Sequence, residues 1–142
     1  MGLNTILAIS GKPGLFKLLT QTRGGFVAQS LLDNKKISVN AQSNVSVLSE
    51  IAVYTLTEEL PLKEVFKKIS EKENGGLTSV AHKASKDELE EYFFSILSDY
   101  DEDRVYASDI KKIIQWYNLL YKNELLNLIE EEASEEQDNS KS

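Results

Sequence analysis

Residues 104–129 read Arg-Val-Tyr-Ala-Ser-Asp-Ile-Lys-Lys-Ile-Ile-Gln-Trp-Tyr-Asn-Leu-Leu-Tyr-Lys-Asn-Glu-Leu-Leu-Asn-Leu-Ile. From Ile110 onward, Ile113, Ile114, Tyr117, Leu120, Tyr121, Leu125 and Leu128 recur at three- and four-residue spacing. They form one apolar stripe along a helix of about six turns. Ser108 is the expected N-cap, and Asp109 puts a negative charge at the positive end of the helix dipole. At about 100° per residue, Trp116, Leu119 and Leu126 leave that stripe and make a second ridge. A helix apolar on two sides is sandwiched between partners. This one is expected to be a central strut, with helices on one side and a different layer on the other. Trp116 is then expected to be mostly buried, against the rest of the chain or against a second copy.

Working outward, the same helical period recurs twice upstream. Leu62, Val65, Phe66 and Ile69 mark a helix with Pro61 in its first turn, stopped by Asn74-Gly75-Gly76. Ser85-Lys86-Asp87-Glu88 is a capping box that opens a second helix through Leu89, Tyr92, Phe93, Ile96 and Leu97. Before Thr57 the period is two. Strands are expected over Ile6–Ser10, Leu15–Thr22, Gly25–Leu32, Lys36–Asn40 and Ile51–Thr57. Arg23-Gly24 is a hairpin signal, and Gly11-Lys12-Pro13-Gly14 is a turn. Single helical turns are expected from Asn4 and over Val47–Ser49.

The fold class is therefore α+β. Residues 1–57 are expected to form a small SH3-like β-barrel or a curled antiparallel sheet, and 58–129 a domain of three main helices. Residues 130–142 are acidic with almost no apolar content and are expected to be a disordered tail. A sheet of that size is marginal alone, so it should dock tightly on the helices.

With 142 residues and 41% hydrophobic side chains the chain can bury a core. It has no cysteine, which removes disulfides, thiolate metal sites and cysteine nucleophiles and fits a reducing cytoplasm. The first ten residues carry no basic region and no long apolar run, so no signal peptide is expected. No membrane span is expected either, since no window approaches 18 apolar residues. The net charge of −7 is uneven: 1–57 hold five basic against two acidic residues, whereas 58–129 and 130–142 are each acidic.

Several phrases stand together in one order. They are Ile9-Ser10-Gly11-Lys12-Pro13-Gly14-Leu15-Phe16-Lys17-Leu18, Pro61-Leu62-Lys63-Glu64-Val65-Phe66 and Glu73-Asn74-Gly75-Gly76. The last runs from Arg104-Val105-Tyr106 through Asp109-Ile110-Lys111-Lys112 to Trp116-Tyr117-Asn118. With these phrases the chain resembles a family of unknown function found mainly in the Bacteroidetes, over residues 3–125. The resemblance implies a small β domain followed by a helical one. It implies no activity and assigns no site residue.

Candidate chemistry is sparse. Asp99-Tyr100-Asp101-Glu102-Asp103 invites an EF-hand reading, but loop position 6 is Arg104 rather than Gly, and position 12 is Ile110 rather than Glu. The stretch reads better as a solvated acidic connector. His82 is the single histidine and reads as a surface residue. Gly11-Lys12-Pro13-Gly14 is no phosphate loop, because Pro removes an N–H and no helix follows. No catalytic constellation, cofactor or metal is expected, and the chain is expected not to be an enzyme.

Two binding classes remain. A basic β domain with Lys12, Lys17, Arg23, Lys35 and Lys36 beside Phe16, Phe26 and Tyr54 has the ingredients for weak single-stranded nucleic-acid binding. The alternative for those aromatics is that they are core. The other class is a protein-interaction or regulatory module that uses the Trp116, Leu119, Leu126 ridge or a sheet edge, as a monomer or homodimer. The acidic remainder repels phosphate, so an unidentified protein partner ranks first and nucleic acid second. No membrane partner is expected.

Overall fold

The computed structural model of the protein describes residues 3–12, 14–81 and 83–126. His82 and the acidic segment 130–142 lie outside the described residues. The elements are β1 (Ile6–Ile9), β2 (Phe16–Thr22), β3 (Gly25–Ser30), β4 (Lys36–Asn40), β5 (Val45–Val47), β6 (Ala52–Tyr54) and β7 (Glu59–Pro61). Three helices follow: α1 (Leu62–Glu73), α2 (Lys86–Ile96) and α3 (Ala107–Lys122). Short 3₁₀ turns at Leu3–Thr5 and Leu48–Glu50 precede β1 and β6.

The first five strands form one antiparallel sheet in the order β4-β3-β2-β1-β5. The expected barrel does not close. Closure requires the two edge strands to share a ladder, and no pairing joins β4 to β5 among the described residues. The three residues of β5 all pair with β1 instead. What forms is an open antiparallel sheet, whose β2–β3 register shifts between Leu18 and Thr20, the irregularity at which a strand bends. Along one face Leu7, Ile9, Phe16, Ala28 and Val39 pack on one another, bordered by Leu18, Phe26 and Ile37 from the same sheet. Gly25 sits where no other residue fits, since a Cβ there would lie 1.9 Å from the carbonyl oxygen of Val39.

The sheet joins the helices through β1 and through segments that flank its other strands. Leu15, Leu31 and Leu48 belong to the same buried cluster as Phe66 of α1, Phe93 of α2 and Tyr117 of α3. The β6–β7 hairpin straddles residue 57 and stitches the two parts together. Its turn is held by Thr55, whose Oγ1 accepts from the Glu58 N–H at 2.9 Å. Its outer side receives the acidic connector, with Asp101 N–H donating to Tyr54 O at 3.0 Å and Leu56 N–H to Asp99 O at 2.9 Å.

Helix α2 starts at the expected cap, where the Ser85 side chain accepts from the Glu88 N–H. Helix α3 differs from expectation at both ends. Its N-cap is Tyr106 rather than Ser108, and Asp109 stabilises the first turn by accepting from the Tyr106 N–H at 3.0 Å. It also ends at Lys122, well short of residue 129. Glu124 takes φ 59°, with Leu125 N–H on Leu120 O and Glu124 N–H on Tyr121 O. That is a Schellman ending, which satisfies the last carbonyls and turns Leu125 back onto the core. Asn123 ties this end to the sheet side by donating to Leu31 O at 3.0 Å.

Candidate functional site

The Trp116-Tyr117-Asn118 phrase projects from α3 in different directions, because consecutive helical residues are about 100° apart. Tyr117 is fully buried, and its hydroxyl donates to Gly76 O at 2.8 Å. Asn118 clasps the same loop: its Oδ1 accepts from the Thr78 N–H and its Nδ2 donates to Thr78 Oγ1, both at 3.0 Å. The Asn74-Gly75-Gly76 stop is thus the partner of the Tyr117-Asn118 pair. Asn74 and Gly75 take the left-handed conformations that end α1. Glu73 closes the loop by accepting from Tyr92 Oη at 2.6 Å and from the Ser79 N–H at 2.7 Å. Burial pushes the Glu73 carboxyl up, but these hydrogen bonds outweigh it and hold the group below its ordinary value. Burial, and then the hydrogen bond to Glu73, push the Tyr92 hydroxyl up.

Trp116 points the other way. Its indole is half-buried on the main core and borders a groove between α3 and the β elements. The groove consists of two cavities of about 580 and 350 Å³ that share Ile51, Lys112 and Trp116. The larger is walled by the Gly11-Lys12 turn, by Asn44 and Ser46 and by Gln115. The smaller runs between β6 and the start of α3, over Val53, Val105 and Ile113, with Tyr54 and Arg104 at its edge. Volumes in this range are typical of ligand sites.

Its charges divide into committed and uncommitted. Arg104 lies 4.5 Å over the Tyr54 ring, and its Nε donates to Asp101 Oδ2 at 2.8 Å. That bond, with a second from the Asp103 N–H, holds the Asp101 carboxyl below its ordinary value. Asp101, a residue the EF-hand reading would have placed on an ion, is therefore occupied in bracing the connector. Asp109 is occupied by the Tyr106 N–H. Lys12 and Lys112 are exposed and make no ion pair among the described residues.

The expected ridge does not form one face. Leu119 is 7% exposed and packs within the chain. A Cβ on Gly14, whose φ is +76°, would lie 3.4 Å from its Cδ1. Leu126 follows the end of α3 and packs half-buried on the core. Trp116 packs on the core with most of its surface covered, and its remaining edge borders the larger cavity beside the Gly11-Lys12 turn.

The five basic β residues also separate. Lys17 and Lys36 flank Gln29 in one row across β2, β3 and β4, with Lys35 beside Lys36. Arg23 is at the β2–β3 turn, the other end of those strands, and Lys12 is in the groove. Phe16 is 5% exposed and Phe26 packs in the same sheet cluster, so both are core. Tyr54 lies under Arg104. Lys112 and Gln115 were not singled out from sequence; for Lys112 its position four residues before Trp116, on the same helix face, was the available signal. Among the described residues no three His, Asp or Glu side chains converge as a metal site, and no helix is long and apolar enough to cross a membrane.

Compared with known proteins, residues 3–48 match a family model described as domain of unknown function DUF5606, and residues 51–120 one described as domain of unknown function DUF6852. The chain is 45% identical to a Bacteroides vulgatus protein whose solution NMR structure was a structural-genomics target. The match covers 87% of this chain and 88% of that one, with a TM-score of 0.72. No curated protein matches.

Proposed function

The chain belongs to the Bacteroidetes-type family that joins these two domains of unknown function, and from that premise we propose that it is a non-enzymatic protein-interaction or regulatory module. One observation carries the reading: the groove at Trp116, with an apolar floor and two uncommitted lysines at its rim. Tryptophan is among the residue types that most often anchor protein interfaces, and the lysines at the rim supply charge for orientation. A chain without cysteine supports placing this work in the cytoplasm. The test is photo-crosslinking in native cells from a benzoylphenylalanine at Gln115, with Glu91 on the outer side of α2 as control. The expected result is a discrete protein adduct from position 115 only. Equal labelling from both positions, or none from 115, overturns the reading.

A second reading, weak single-stranded nucleic-acid binding, draws its support from the Lys17, Gln29, Lys36 row with Lys35 beside it. Three cations limit the salt dependence of log affinity to a slope of roughly −2. Fluorescence anisotropy with oligothymidylate tests it. Binding abolished by Lys17→Glu/Lys36→Glu supports it, and no binding at low salt retires it.

A further inference from the structure

We infer that the Trp116 groove receives an extended acidic peptide segment of a protein partner, an apolar side chain entering the smaller cavity and carboxylates meeting Lys12 and Lys112 in the larger. This deepens the interaction-module reading and rests on it. The two cavities adjoin through Ile51, Lys112 and Trp116. The site is therefore longer than a pocket for one side chain and suits a stretch of chain. Its two ends differ in chemistry. The smaller is floored by Val53, Val105 and Ile113. The larger presents Ser46, Asn44 and Gln115 between the two lysines.

Charge selects the occupant. The protein as a whole carries −7, yet at this groove the uncommitted charges are positive. The larger cavity is lined by Lys12 and Lys112 and, among the described residues, by no carboxylate, whereas Asp109 lines only the smaller one, where Arg104 is paired with Asp101. Such a basic site on an acidic molecule repels acidic strangers elsewhere and orients an acidic segment here. A nucleic acid fits less well. It brings one charge per nucleotide to a site with two free cations, and exposed Glu102 and Asp103 stand beside its Arg104 end. A peptide with two or three carboxylates concentrated at the larger cavity avoids that repulsion.

Trp116 is the single tryptophan of the chain, so its emission reports on the groove alone. The experiment titrates the full chain with a synthetic peptide in which a leucine pair precedes three glutamates. Its glutamine counterpart, its lysine counterpart and oligothymidylate run in parallel. The expected result is a saturable shift of Trp116 emission with the glutamate peptide. Affinity should fall about tenfold or more with the glutamine peptide and with Lys12→Glu/Lys112→Glu, the loss expected for close charge pairs. Both lysines are exposed, and circular dichroism verifies that the double variant stays folded. Equal binding of the glutamine peptide overturns the acidic preference while leaving the module reading intact. Silence of Trp116 toward every peptide, with a protein still crosslinked from position 115, overturns the peptide-receptor inference alone. Tighter binding of oligothymidylate than of the glutamate peptide hands the groove to nucleic acid. Absence of any crosslink from 115 removes the module reading itself.

Discussion

Two neighbouring residues on α3, Trp116 and Tyr117, face opposite kinds of environment. On the Tyr117 side the polar groups are matched: its hydroxyl reaches Gly76 O, Asn118 takes the N–H and the hydroxyl oxygen of Thr78, and Glu73 takes Tyr92 and Ser79. On the Trp116 side an apolar floor lies open between Lys12 and Lys112, neither with an ion-pair partner among the described residues. Buried polar groups are costly unless paired, so the first side contributes stability. Exposed lysines that make no ion pair contribute little to folding. On the proposed reading, one helix divides its work between holding the fold and offering a surface.

The comparison breaks first if Tyr117 is dispensable. Tyr117→Ala should lower unfolding free energy by about 3–5 kcal/mol in urea, as for buried aromatics, and Tyr117→Phe by about 1 kcal/mol through the Gly76 hydrogen bond alone. Asn118→Ala leaves the Thr78 N–H without its acceptor and should cost about 1–3 kcal/mol. Amide exchange at Thr78 should rise with it; unchanged protection there would show that Asn118 is not the clasp. On the other side, Trp116→Ala should cost only about 1–2 kcal/mol, because its indole is only half-buried. A loss as large as that of Tyr117→Ala would erase the distinction between the two sides.

The smallest effect is one of pH. Glu73 is held below its ordinary pKa of 4.5 in the folded chain, so its contribution is fully present above that value and is lost as pH falls through the lower folded value. Glu73→Gln should therefore flatten the fall in stability below about pH 4.5, measured by urea titrations at stepped pH. An unchanged acid limb would mean that the Tyr92 and Ser79 hydrogen bonds do not form in solution.

Much of this frame is legible in the chain. Alternation locates β1 to β4, and the Ser85 box and the Asn74-Gly75-Gly76 stop locate helix ends because each has a local physical cause. What escapes is what depends on distant neighbours. Strand β5 is three residues, Val45-Ser46-Val47, inside polar sequence, and exists only because β1 offers it an edge. Strand β7 includes Pro61, which also suits a helix start, so sequence alone does not choose. The apolar period of α3 continues through Leu125, yet the helix stops at Lys122, where Asn123 reaches Leu31. The ridge through Trp116 is readable as a second apolar direction. That Leu119 would pack near the Gly14 turn and Trp116 border a groove is not, since Lys12 and Trp116, far apart in sequence, come to line one cavity.

Acrylamide quenching of Trp116 emission tests most directly whether that groove is open. With one tryptophan, the quenching constant belongs to one place. An open groove predicts clear quenching of the native protein, weaker than for the urea-unfolded chain, and protection once a ligand fills the site. Native emission that acrylamide does not touch until the protein unfolds would mean a closed face, and α3 would then be structural on both sides.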